Sequence, residues 1–170
     1  MKQYDKVVNK IYRSQKVNFL PLISWDFFMP HFNAFCMYQY DLDILTGIGN
    51  HNHWSSAPKF REALQEEGKI IVLTDANLRI LHASKNISEM NGYAVKEIIG
   101  KQPKMFQGKG TDPETISYIS NAVRQKLPFE TTILNYRKDG SPYLCHIKAE
   151  PLFDELGKVV NFVAFEKEVA

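Results

Sequence analysis

The sequence predicts a mixed α/β (α+β) fold: a five-stranded antiparallel sheet with helices on one face, behind a helical amino-terminal extension. Three observations carry this. Up to residue 68, apolar residues recur at three- and four-residue spacing, the period of an amphipathic helix. From Lys69 the pattern changes to short β-branched runs bounded by turn residues. The carboxy-terminal part then holds three longer apolar runs joined by Asp139-Gly140 and by Asp154 to Lys158, turn signals that pair consecutive strands antiparallel. The implied division is 1–68, a helical extension, and 69–170, the sheet-bearing domain.

In the extension, Tyr4, Val7, Val8, Ile11 and Tyr12 make one apolar stripe opposite Lys2, Lys6, Lys10 and Arg13. A second helix starts near Ser24 and carries Phe28, Phe32, Phe35, Tyr38, Leu42 and Leu45. Pro30 should break or kink it, because proline lacks the N–H and clashes with the preceding turn. HNHWSSAP reads as a loop, and Pro58 opens a short helix, Lys59 to Glu67, which Gly68 ends. Beyond it, IIVLT and RILHAS are two strands around an Asp75-Ala76-Asn77 turn. Helical pieces follow at 86–90, 95–99 and 113–127, the last entered by a Thr111–Glu114 capping box and burying Ile116, Ile119 and Val123. Strands at 129–137, 142–153 and 159–169 complete the sheet.

Composition narrows the function classes. A net charge of +2, with Lys and Arg spread along the chain, offers no phosphate-binding stripe and points away from nucleic acid. No run reaches the ~18 uninterrupted apolar residues of a membrane span, and the amino terminus lacks the apolar core of a signal peptide. Two cysteines, Cys36 and Cys145, cannot build a disulfide framework and suit a reducing, cytoplasmic setting of bacterial type. His51 and His53 form an HxH pair without a third ligand at metal spacing. Gln107-Gly108-Lys109-Gly110-Thr111 lacks the first glycine and preceding strand of a phosphate loop. No nucleophile–base pair appears, since the adjacent Cys145 and His146 point to opposite sheet faces. A non-enzyme is expected.

TDANLRILHASKNISEMNGYAVKEIIGK, NYRKDGSPY and PLFDELGKVVNFVAFEKEV, in this order and spacing, resemble a PAS domain, and within that family its light, oxygen or voltage subgroup. The resemblance covers about Ile70 to Val169 and implies a sheet and helices enclosing a ligand pocket. The subgroup's flavin motif GxNCRFLQ corresponds to Gly100–Gln107, where Pro103 replaces the reactive cysteine. Ser120 stands where the family carries a phosphate-binding arginine. Of the three ring-reading side chains only Asn135 is kept, the others corresponding to Cys145 and Glu166, while Gln107 at the motif's end also matches. The long helix lacks a haem-ligating histidine. From these departures no cofactor is expected, neither flavin nor haem.

Strand alternation assigns faces. Thr131, Ile133, Asn135, Tyr143, Cys145, Ile147, Phe162, Ala164 and Glu166 share the pocket side. Gln107, Asn135, Tyr143, Cys145 and Glu166 are the candidate ligand residues, with Met90, Ile98, Ile133, Ile147 and Phe162 as apolar lining. Cys145 reads as a buried wall residue and not as a reactive thiol. An inward Glu166 either meets a ligand or pairs with a base such as Lys104; Asn135 either reads a ligand or satisfies nearby backbone. On the other face, Ile71, Leu73, Leu134, Tyr136, Val163 and Phe165 make an apolar patch that needs a cover. With Tyr4, Val8 and Ile11 it is the candidate helix-packing or homodimer face.

The expected function is that of a stand-alone PAS sensory or regulatory protein, acting in signal transduction through a small ligand and contact with an unknown signalling protein. A ligand-free interaction or dimerisation module is one alternative, and a flavin-dependent redox sensor is the other.

Overall fold

The computed structural model describes residues 23–169, with side-chain environments from residue 36 onward. The stripe containing Tyr4, Val8 and Ile11 lies outside the described residues. Two compact units are found, Met1–Phe35 and Cys36–Ala170, and the second holds every contact considered below. Helices α1 (Ile23–His51) and α2 (Phe60–Gln65) precede strands β1 (Lys69–Asp75) and β2 (Ile80–Ala83). Then come α3 (Ile87–Asn91), α4 (Val95–Ile98), a 3₁₀ turn at Pro103–Phe106 and α5 (Pro113–Gln125). Strands β3 (Phe129–Tyr136), β4 (Pro142–Phe153) and β5 (Val159–Val169) close the chain. The break expected at Pro30 does not occur: α1 is helical on both sides of it, since a proline removes only one intrahelical hydrogen bond while the remaining residues keep theirs.

The strands form one antiparallel sheet in the order β2-β1-β5-β4-β3, so β5, last in sequence, lies at the centre. Short polar residues make the expected turns. Asp75 Oδ1 accepts from the backbone N–H groups of Asn77 and Arg79, each at 2.8 Å, and Asp154 Oδ1 accepts from Leu156 and Lys158. Between β3 and β4, Gly140 takes φ +86°, a conformation glycine adopts without strain. One cap differs from expectation. Asp112, not Thr111, receives the first N–H groups of α5, those of Glu114 and Thr115. Thr111 instead accepts from Gly108 N–H and donates to the Leu134 carbonyl at 2.7 Å, tying the glycine loop to β3.

The sheet separates two apolar clusters. On one face Ile70, Val72, Ile80, Ile87, Met90, Ile98, Phe106, Ile133, Tyr143 and Cys145 pack under α3, α4 and the 3₁₀ turn. On the other, Ile71, Leu73 and Val163 pack with Leu45 of α1 and with Phe60 and Ala63 of α2, and Phe165 lies against them. The cover required by β1 and β5 thus comes from the same chain. The patch expected to run across three strands is divided, because Tyr136 turns to the glycine loop. Its hydroxyl accepts from Gly110 N–H at 2.9 Å, and its ring leaves no room for a Cβ at Gly108. With its β1–β5 part covered, this patch carries no argument for a homodimer.

A polar clamp fixes the covered face. Asn161 is fully buried; its Oδ1 accepts from Asn52 Nδ2 at 2.7 Å and Trp54 Nε1 at 2.8 Å, and its Nδ2 donates to the Thr74 carbonyl. The loop expected to be irregular is therefore held to the sheet, with Trp54 also bridging to Asp154. On α1, Asp41 accepts from Lys85 N–H, and its Oδ1 lies 3.1 Å from His82 Nε2 of β2, a buried contact without hydrogen-bond angle. Among the described residues, no helix is long and apolar enough to cross a membrane.

Candidate functional site

Cross-strand register builds the floor of a cavity on the inner face. One row runs Val72–Ala164–Ala149–Phe129 across β1, β5, β4 and β3; the next runs Ile70–Glu166–Ile147–Thr131. The two alanines leave a flat, low floor at the centre of the sheet. Above it stands α5, whose stripe Ile116, Ile119 and Val123 faces the cavity. The expectation that α5 buries this stripe holds only in part: Ile116 and Ile119 are half-buried against the inner core, and no residue of the helix is fully buried, because the stripe also walls the cavity. The cavity holds about 310 Å³, within the range of small-molecule sites.

Polar groups converge on it from separate elements. Lys104 comes from the 3₁₀ turn and Gln107 from the residue that caps it, Asn135 from β3, Glu166 from β5 and Ser120 from α5. Pro103 also lines it, presenting a pyrrolidine ring and no nucleophile. Of the five candidate ligand residues, Gln107, Asn135 and Glu166 line the cavity, whereas Tyr143 and Cys145 are packed in the core beyond its edge. Ile133, Ile147 and Phe162 line it as expected, while Met90 and Ile98 lie in the core instead. Alternation identifies a face but not how far along the strand a cavity reaches. Sequence reasoning overlooked the floor residue Ala149, which the Phe129–Ala149 register could have flagged.

Electrostatics single out Glu166. It is 4% exposed, and the hydrogen bond on its carboxyl comes from Cys145 Sγ, 3.8 Å from Oε2. Burial pushes its pKa up to about 7, with the thiol opposing that shift. Burial, and then the neighbouring Glu166, raise the Cys145 thiol above its ordinary value, which fits an inert core residue. Burial likewise raises Tyr143. No ion pair joins Glu166 to Lys104 or to any other base among the described residues, so the pairing that a ligand-free scaffold called for is not formed.

The fold, the cavity and the register agree with one family, and residues 68–169 match the family described as PAS domain. The chain belongs to the PAS family. Phototropin-2 of Oryza sativa subsp. japonica is 32% identical to this PAS chain over 131 residues, 73% of this chain and 14% of the relative. Among solved structures, the light state of the blue-light photoreceptor Aureochrome1 LOV is 32% identical, with TM-score 0.59, 64% of this chain covered and 88% of that one. Another, described by the words "Flavin Analogue Sheds Light on Light-Oxygen-Voltage Domain Mechanism", is 28% identical with TM-score 0.61, covering 66% and 86%. The chain spans only about one seventh of the phototropin it matches.

These likenesses to blue-light photoreceptors overturn the expectation that the PAS domain takes no cofactor, flavin included. Pro103, Ser120, Cys145 and Glu166 weighed too heavily in that expectation. They remove an adduct nucleophile, a cation and two ring-reading amides, but they leave the apolar cavity in place, and apolar burial is the larger part of holding a flat aromatic ring.

Proposed function

We propose that this PAS domain is a flavin-dependent sensor of the light, oxygen or voltage type that works without a cysteinyl adduct. The observation that carries the reading is the apolar cavity between α5 and the alanine floor, edged by Gln107, Asn135 and Glu166. Its form fits a flat heteroaromatic body with one polar edge. Ile116 and Ile119 of α5 are half-buried against the inner core, and a ring body beneath the helix would bury the apolar surface they still present to the cavity. Bound flavin would supply visible absorption and reversible electron uptake.

The residues divide the work. Val72, Ala149, Ala164, Ile116 and Ile119 hold the ring body and exclude water, Gln107, Asn135 and Glu166 orient its polar edge, and Lys104 is the cation available to a phosphate. Pro103 offers no electron pair for a covalent bond to the ring, so a signal must come from the ring's charge and hydrogen bonding. Strand β5 carries Ala164 and Glu166 inward and Val163 and Phe165 outward beneath the helical cover. A change at the ring edge thereby reaches α1 and α2, and the output is protein–protein contact by those helices, a shift between two packings.

The test is an absorption spectrum of the full chain after reconstitution with flavin mononucleotide and removal of the excess. Resolved flavin bands, unchanged by blue light when no electron donor is added, are expected. A colourless protein would overturn the flavin reading, and bands that bleach and recover in darkness without a donor would overturn the absence of an adduct.

A further inference from the structure

The flavin reading assigns Glu166 a place at the ring edge but not a charge state, and its surroundings decide that. The carboxyl is 4% exposed and faces the cavity from the central strand. Around it, β1 presents Ile70 and β3 presents Thr131 and Asn135. α5 presents Ile116, Ile119, Ser120 and Val123. β4 contributes Ile147 and the titratable Cys145 and Tyr143, both neutral when buried. Lys167, on its own strand, donates to Glu66, and Arg137 donates to Glu168, so neither cation offers Glu166 a counter-charge. Lys104 is the one cation among the residues lining the cavity, and it forms no ion pair with the carboxyl. An isolated carboxylate in apolar surroundings neutralises itself by taking a proton, and a neutral acid carries a donor that a carboxylate lacks.

We infer that Glu166 is a protonated acid that donates a hydrogen bond into the cavity, and that its ionisation weakens the bound heterocycle, making occupancy of this PAS domain sensitive to pH. The inference rests on the flavin reading for the identity of the guest. A ring presents acceptors along its polar edge, a carbonyl oxygen and unprotonated nitrogens. A neutral Glu166 meets them with O–H, whereas an ionised Glu166 sets a full negative charge against lone pairs. Burial, which already lifts the carboxyl to about 7, places the transition in the physiological range. The sign follows. The ligand selects the protonated form, so affinity is constant below the midpoint and falls about tenfold per pH unit above it, each binding event then taking up one proton.

The probe is riboflavin, which has no phosphate of its own titrating in this range. Fluorescence titration of the full chain from about pH 5.5 to about pH 9 brackets the transition. The unsubstituted chain should lose affinity above about pH 7, and Glu166→Gln, whose amide donates at every pH, should bind with a flat profile. Equal pH dependence in the two proteins, or a flat profile in both, overturns the inference and leaves the flavin reading intact. Binding of riboflavin by neither protein at any pH, together with a colourless chain after reconstitution with flavin mononucleotide, overturns the flavin reading alone. Infrared titration of the riboflavin-free chain then decides on Glu166 itself. A protonated-carboxyl C=O band that is lost near neutrality, and missing from Glu166→Gln, supports the neutral acid. Its absence at acid pH refutes it.

Discussion

The two faces of the sheet are covered in opposite ways. On the outer face the helical cover is dry and filled: Leu45, Ile71, Leu73 and Val163 are fully buried, and Asn161 meets three partners. On the inner face α5 walls a cavity with a stripe that is only half-buried, and among the described residues the buried Glu166 carboxyl accepts a hydrogen bond from a thiol alone. A single strand, β5, serves both. The difference shows which face is built for stability and which for a guest, because proteins seldom leave a buried polar group so poorly partnered unless its position has another use.

The largest expected effect breaks the filled face. Phe60 lies 5.8 Å from Trp54 and 6.4 Å from Phe165, ring centre to ring centre, so Phe60→Ala should destabilise by about 3–5 kcal/mol through the cavity it leaves. Urea unfolding followed by circular dichroism checks this. A loss below about 1 kcal/mol would mean that α2 is not a structural cover.

Next in size is Glu166, where the comparison is sharpest. Its carboxyl is raised from 4.5 to about 7 on folding, so the folded chain holds the proton more tightly than the unfolded one. Stability from the neutral acid is fully present below about pH 4.5 and is lost as the pH rises to about 7. Relative to the unsubstituted chain, Glu166→Gln should therefore be more stable at pH 8 by about 3 kcal/mol, and near parity at pH 4. An identical pH dependence of the unfolding midpoint in both proteins would count against a buried, unpaired acid.

Asn161→Ala strips partners from Asn52, Trp54 and the Thr74 carbonyl and should cost about 2 kcal/mol. Amide exchange should quicken in the Asn52–Trp54 loop before it quickens in β5; uniform acceleration would show that the clamp is not local. The smallest effect is at the roof of the cavity. Asp112→Ala removes the cap of α5 and should cost about 1 kcal/mol, with riboflavin affinity falling more than overall stability if α5 holds the ring.

Much of this contrast was legible in the sequence. The period-two pattern of VVNFVAFEKEV sets Glu166 and Val163 on opposite faces, and the Asp139-Gly140 and Asp154 turns set the strand limits. What was not legible depends on distance in three dimensions. Tyr143 and Cys145 share the face of Asn135 yet lie beyond the cavity, because parity does not report depth along a strand. Ile116 and Ile119 read as buried and are half-buried, because helical periodicity finds an apolar face and not how much of it a cavity leaves open. The cofactor was misjudged for a related reason: lost polar contacts can be counted in a sequence, whereas a cavity volume cannot.

The most direct test of the contrast is methyl NMR of the isoleucine-labelled chain during titration with riboflavin. Ile116, Ile119, Ile133 and Ile147 line the cavity, while Ile48 and Ile71 pack on the outer face. The account predicts large saturable shifts for the first four and minor ones for Ile48 and Ile71. Larger shifts at Ile48 and Ile71 than at the cavity isoleucines, or none at any of the six, would contradict it.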